Sequence, residues 1–312
     1  MTDPRQKSIS FVMPAYNCAT TIEESVESIM DDNFKEGDEL IIVNDGSTDS
    51  TPGVIQRLKR KYPVITVINQ ENKGCPAARN VGYARASSPI IFNLYSDDVL
   101  ESGNVPKLKN YMVSQGADMA AFQVIRYFNK SKHQTTHKWI SRPGILTLAD
   151  FLAGEINPGS GGNYMFTKKS WEKVGGVWEY GKGLHEAWGF TLKELANGVK
   201  FVIMPDSYYF HRYGMDSLYV RESRKPDEHS LMATKMISHY LHLLNEEDAA
   251  YITSENGSRT WYSGIYRMPI RLKNGEAGKT GVYERDWKVN LKMKIVKAFP
   301  RLFSVYLRLK GI

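Results

Sequence analysis

Through residues 8–100, short apolar runs alternate with segments whose apolar positions recur every three or four residues. SISFVMPAY reads as a strand ending at Pro14, and TTIEESVESIM as a helix capped by Thr20 or Thr21. DELIIVND predicts a second strand. STDSTPGVIQRLKRKY predicts a second helix, with Ser50 or Thr51 at its cap and Pro52 in its first turn. VITVIN and PIIFNLY predict two more strands, separated by the helix CPAARNVGYARA. PIIFNLY is apolar almost throughout, as a strand buried on both faces should be. This alternation predicts an α/β fold, a mostly parallel sheet flanked by helices. Ligands of such sheets bind beyond the carboxyl ends of the strands, where PAYN, NDGSTD and YSDD fall.

Residues 101–215 are mixed in pattern and include the glycine-rich NPGSGGNY and VGGVWEYGKGLHEAWGF. Residues 226–253 have a helical pattern, and 254–286 are turn-rich. The expected organisation is a domain over 1–220, a helical and irregular extension over 221–286, and a C-terminal helix over 287–312.

Charge changes the reading of that last segment. The chain of 312 residues carries a net charge of +7. Lys288, Lys292, Lys294, Lys297, Arg301, Arg308 and Lys310 account for all of it, so residues 1–286 are balanced. A nucleic-acid binder would spread its basic residues over the fold. Residues 291, 295, 299, 302, 306 and 309 form one apolar stripe, with Pro300 as a kink. Two readings stand: an amphipathic helix on an anionic membrane surface, or a terminal helix packed on the body. The polar start MTDPRQKSIS does not read as a secretory signal, so none is expected, and no apolar run is long enough to span a membrane. Two cysteines make no disulfide framework. A cytoplasmic protein, peripheral on the inner membrane face, is expected.

The candidate chemistry lies just past the strands. Asp97 and Asp98 follow the fourth strand. A divalent cation held by such carboxylates neutralises a departing diphosphate; the competing reading is a helix cap by Ser96 or Asp97. Asp45 ends a strand, where its carboxylate can accept bonds from a base or ribose, or belong to an ordinary turn. Lys73 and Gly74 precede a helix carrying Arg79, a plausible anion site or a surface arginine. Glu186 is a candidate general base, or a first-turn acid favoured by the helix dipole. Trp178 and Trp188 can supply apolar walls and a sugar-stacking face. His211 would complete a metal site with Asp97 and Asp98, or serve as a structural histidine.

PAYN, NDGSTDST, NKGxxxARNxG, SDDxL and a Gly-Gly pair followed by ExW occur in this order over residues 8–215. Together they closely resemble the family 2 inverting glycosyltransferases of the GT-A fold. The resemblance implies that Pro14, Ala15 and Tyr16 line the nucleotide base, Asp45 contacts it, and Arg79 lies near base or phosphates. It implies that Asp97 and Asp98 serve ribose and metal, that Gly161 and Gly162 admit the donor sugar, and that Glu186 is the base. Asn17, Lys73, Ser96 and Trp188 complete the expected nucleotide-sugar site. Two positions depart from the family pattern: Tyr95 replaces the first acid of Asp-x-Asp-Asp, and Ala187 the Asp of Glu-Asp-Trp. The expected activity is transfer from a nucleotide-diphospho-sugar, a UDP-sugar in the first instance, to a glycan, lipid-linked or protein acceptor with Mn²⁺ or Mg²⁺. Cell-surface polysaccharide or glycoconjugate synthesis is the expected setting. The alternative is a catalytically impaired relative that binds sugar nucleotides or assists assembly. A nucleotidyltransferase ranks last, because PAYNCATT lacks a glycine-rich phosphate loop.

Overall fold

A computed structural model describes residues 8–153, 163–179, 186–213 and 235–253, together with four two-residue strands between 262 and 283. The first unit closes at Tyr213. Its first half is built from β1 (Ile9–Ala15), α1 (Ile22–Met30), β2 (Glu39–Asp45), α2 (Thr51–Lys61), β3 (Ile65–Gln70), α3 (Cys75–Arg85) and β4 (Ile90–Asn93). Every residue of β1 and β4 is buried, which explains their uninterrupted apolar runs. The helix bounds follow the expected signals. Pro52 and Pro76 sit in the first turns of α2 and α3, and Lys59, Arg60 and Lys61 meet the negative end of α2. Thr21 precedes α1 but makes no capping bond; its hydroxyl donates to the carbonyls of Cys18 and Ser96.

One glycine fixes how closely α3 approaches the sheet. A methyl group on Gly82 would lie 2.3 Å from Val12 Cγ1 on β1. The helix therefore lies on β1 and β2 at a distance only glycine allows.

The second half adds α4 (Asn104–Ser114), β5 (Met119–Phe128), β6 (Thr135–Ile140), β7 (Gly144–Leu146), α5 (Leu148–Ala153), β8 (Met165–Thr167), α6 (Lys168–Val174), α7 (Glu186–Ala196) and β9 (Phe201–Arg212). All nine strands form one sheet in the order β3-β2-β1-β4-β8-β5-β9-β7, with β6 on β5. The sheet is parallel from β3 to β4 and mixed beyond. Because β8 runs antiparallel to both β4 and β5, the carboxyl ends of β4, β5 and β9 share one edge.

The strand β9 is longer than its apolar run VKFVIMP predicts. Its register with β5 shifts between Phe122 and Val124, and Asp206 takes a positive φ of 52°. This bulge carries the strand past Pro205 to Arg212, which places His211 on the carboxyl edge of the sheet.

The second unit contains a helical stretch at 235–240, a 3₁₀ turn (Leu241–Leu243) and α8 (Glu246–Thr253). Two small antiparallel pairs, β10 (Tyr262–Ser263) with β11 (Met268–Pro269) and β12 (Leu272–Lys273) with β13 (Val282–Tyr283), follow. The basic segment 287–312 lies outside the described residues. Among those described, no helix is long and apolar enough to cross a membrane. Both cysteines, Cys18 and Cys75, are free.

Glu194 of α7 is fully buried, and the Ser170 hydroxyl donates to its Oε1 at 3.4 Å. Its Oε2 has no hydrogen-bond partner among the described residues. Burial pushes its carboxyl from an ordinary 4.5 up to about 8, against the weaker pull of Ser170. An acid raised on folding binds its proton more tightly in the folded state. It therefore favours folding at low pH, and that contribution is lost as pH rises from about 4.5 to about 8. Glu194→Gln is expected to flatten this fall in thermal stability between pH 5 and pH 8, a window set by those values. Identical slopes for variant and parent would contradict the assignment.

Candidate active site

Four turns meet at the carboxyl edge of the sheet. After β1, Asn17 takes a positive φ of 47°. Its side-chain oxygen accepts the amides of Thr48 (2.8 Å) and Asp49 (3.3 Å), and its own amide donates to Ser47 Oγ (3.1 Å). The loop after β1 is thereby fastened to the NDGSTD loop after β2. Pro14 and Ala15 are buried in β1, while Tyr16 is 49% exposed beside this junction.

Asp45 faces the neighbouring turn. Its carboxylate accepts from Gln70 Nε2 (2.7 Å) and from the amides of Lys73 and Gly74 (2.9 Å each). Asp45 thus shapes the turn before α3, and Lys73 offers it a backbone amide while its side chain stays exposed. A carboxylate held by three donors is more than an ordinary turn residue.

The acidic pair is not a helix cap. It lies in a tight turn, Asp98 N donating to Tyr95 O at 3.2 Å, and α4 begins only at Asn104, behind Gly103. Asp98 is completely buried and takes three donors. Asn163 Nδ2 (2.7 Å) and His211 Nδ1 (2.9 Å) reach Oδ2, and the amide of Arg212 (2.9 Å) reaches Oδ1. Burial alone would lower the His211 pKa, but the Asp98 carboxylate outweighs it and raises it. Asp97 is half-buried and has no ion-pair partner among the described residues. Burial, then the charge of Asp98, pushes its carboxyl up to about 6, against His211 and Arg212. Ser96, also buried, accepts the Thr21 hydroxyl through its carbonyl.

The expected metal set was Asp97, Asp98 and His211. No three His, Cys, Asp or Glu side chains are grouped to hold an ion among the described residues. Both oxygens of Asp98 accept from protein donors. Asp98 instead orients His211, as a carboxylate behind a metal-binding imidazole does. The remaining donors, the Asp97 carboxylate and His211 Nε2, fit a divalent cation that also takes oxygens from a substrate.

A second buried cluster lies beside the first. Arg79, 2% exposed, and Glu186, 6% exposed, approach through Nη2 and Oε1 at 3.2 Å. That contact is an ion pair whose geometry falls short of a hydrogen bond. The Tyr95 hydroxyl donates to the same Oε1 at 3.0 Å and accepts from Arg79 Nη1 at 3.4 Å. Arg79 is therefore no surface residue, and Glu186, the first residue of α7, is more than a helix-dipole acid. Trp188 packs on Phe151, ring centroids 4.8 Å apart. Gly161 and Gly162 lie outside the described residues.

The family model for glycosyl transferase family 2 matches residues 10–175, more than half of the chain and all the turns just described up to Asn163. The chain belongs to glycosyl transferase family 2. It is 31% identical over 150 residues to the putative teichuronic acid biosynthesis glycosyltransferase TuaG of Bacillus subtilis (strain 168), covering 47% of this chain and 58% of that one. The chain spans only 24% to 58% of the length of the curated relatives it matches. In fold it resembles S. aureus TarS 1–349 in complex with UDP-GlcNAc (TM-score 0.59, 14% identity, 89% of this chain and 99% of that one). It also resembles the mannosyltransferase PcManGT from Pyrobaculum calidifontis in complex with GDP-Man and Mn2+ (TM-score 0.57, 15% identity, 81% and 72%). The mixed sheet flanked by helices is the GT-A fold expected from the motifs.

Within this family 2 site, sequence reasoning missed Asn163, Arg212 and the role of Tyr95. Asn163 donates to Asp98 and accepts the Tyr95 amide at 3.2 Å. Arg212 Nε donates to the Asp97 carbonyl at 3.0 Å, and its Nη2 pairs with Glu24 of α1. Their signal was position alone, beside Gly162 and His211. Asp45→Ala is expected to cost about 3 kcal/mol, the scale of losing hydrogen bonds to a buried charge. Urea unfolding measures it, and an unchanged midpoint would show that the 70–74 turn does not depend on Asp45.

Proposed function

We propose that this chain transfers a sugar from a nucleotide-diphospho-sugar, a UDP-sugar in the first instance, to an acceptor hydroxyl with inversion. The observation that carries the reading is the paired arrangement at the sheet edge: Asp97 beside an Asp98-oriented His211, next to the buried Glu186. Tyr16, half exposed at the end of β1, offers a face for the nucleotide base. In this reading Arg79 and the 72–74 turn would serve the base or phosphates. Mn²⁺ or Mg²⁺, held by Asp97 and His211 Nε2, would neutralise the charge of the diphosphate. Glu186 takes the proton of the acceptor hydroxyl. The hydroxyl oxygen bonds to the anomeric carbon, and the electron pair of the sugar–phosphate bond leaves with the diphosphate. Trp188 offers a wall for the sugar.

The names of the relatives support a setting in cell-surface polymer synthesis: teichuronic acid for TuaG, and poly-beta-1,6-N-acetyl-D-glucosamine for a synthase of Staphylococcus aureus. TarS with UDP-GlcNAc and PcManGT with Mn2+ support the donor class and the cation. In this reading residues 1–220 carry transfer, 221–286 extend the domain, and the basic segment 287–312 holds the protein against an anionic membrane surface at the cytoplasmic face.

One observation favours a second reading, a sugar-nucleotide binder without turnover. Ala187 is buried where an Asp base is expected. UDP release from UDP-GlcNAc with Mn²⁺ separates the two. Transfer predicts turnover that falls at least about 100-fold in both Asp97→Asn and Glu186→Gln, the scale of losing general-base catalysis. Parent-like turnover in both variants would refute the transfer reading. UDP binding by calorimetry with no turnover on any UDP- or GDP-sugar would favour the binder.

A further inference from the structure

Tyr95 occupies the turn between β4 and the acidic pair, and its side chain is committed to a partner 91 residues away. The hydroxyl lies between Arg79 Nη1 (3.4 Å) and Glu186 Oε1 (3.0 Å). Arginine has no acceptor, so the Tyr95 oxygen accepts from Arg79 and its proton points at Glu186. The direction is fixed by chemistry. The guanidinium also lies 5.7 Å from the Tyr95 ring centroid, close enough for a cation–π contact.

All these contacts fall on one oxygen of Glu186. Oε1 receives the Tyr95 hydroxyl and the Arg79 ion pair, and no hydrogen bond reaches Oε2 among the described residues. An aspartate at 95 would be too short to place an oxygen where the phenol places its own. Its charge would also face a carboxylate rather than donate to it.

We propose that Tyr95 is the positioning residue of Glu186: with Arg79 it saturates Oε1, and so presents Oε2 as the atom that takes the proton from the acceptor hydroxyl. The proposal rests on the transfer reading above. It accounts for the loss of an acid at this position as an exchange of function. The side chain that no longer serves the donor side of the site holds the base on the acceptor side. Fixing a base within reach of its proton is a positioning effect, and small displacements are costly in rate.

Tyr95→Phe keeps the ring against Arg79 and removes only the hydroxyl. With UDP-GlcNAc and Mn²⁺ and UDP release as the readout, kcat is expected to fall 10- to 100-fold, with the donor KM within about threefold of the parent. In the double variant Tyr95→Phe/Glu186→Gln, turnover is expected to equal that of Glu186→Gln alone, because the hydroxyl acts only through the carboxylate. Unchanged kcat in Tyr95→Phe, a loss confined to KM, or losses that multiply would overturn the proposal. Parent-like turnover in Glu186→Gln would instead strike the base assignment itself. If no sugar nucleotide turns over, crystal structures decide. A Glu186 carboxylate unmoved in Tyr95→Phe, or a Tyr95 hydroxyl out of hydrogen-bond reach of Glu186 in the parent, overturns positioning; a displaced carboxylate supports it.

Discussion

A carboxylate removed completely from water must be satisfied by the protein around it, and Asp98 is such a group. Its three donors come from separate parts of the chain: Asn163 before β8, and His211 and the Arg212 amide at the end of β9. Satisfying Asp98 therefore docks the second half of the sheet onto the loop that ends the first. The same residue turns His211 so that Nε2 is its remaining ring nitrogen, and it leaves Asp97 as the carboxylate without an ion-pair partner among the described residues. One buried charge thus fixes both the edge of the sheet and the donors that a cation would meet.

The rest of the edge is organised by the same economy of satisfied polar groups. Asn17 adopts a left-handed backbone so that its side chain can take the amides of the next loop. Asp45 ends β2 and holds the turn before α3 by two backbone amides. That turn starts the helix that carries Arg79 inward, and Gly82 lets the helix settle against β1. Arg79 then meets Glu186 at the first turn of α7, with Tyr95 between them. A chain of short-range choices ends in a buried Arg–Tyr–Glu cluster next to the acidic turn.

Much of the fold was legible because its signals are local. Fully buried strands such as β1 and β4 must be apolar throughout, and Pro52 and Pro76 announce the starts of α2 and α3. The order of the motifs identified the family. The roles of individual residues were less legible, because they depend on partners far away in sequence. Asn163 and His211 lie 65 and 113 residues from Asp98, and Glu186 lies 91 from Tyr95. Two adjacent aspartates look equivalent in a sequence; burial and hydrogen bonding separate Asp98, which organises the edge, from Asp97. The reach of β9 to His211 was hidden for a different reason: the apolar run stops at Pro205, and the strand continues through a bulge that a pattern of alternation does not reveal.

A crystal structure of the parent protein with UDP and Mn²⁺ tests most directly whether Asp98 builds this edge for a nucleotide diphosphate. The account predicts the ion on Asp97 and His211 Nε2, the diphosphate beside it, the uracil against Tyr16, and Asp98 still bound to Asn163, His211 and the Arg212 amide. A nucleotide seated elsewhere, or an Asp98 that leaves these donors to ligate the metal, would contradict it.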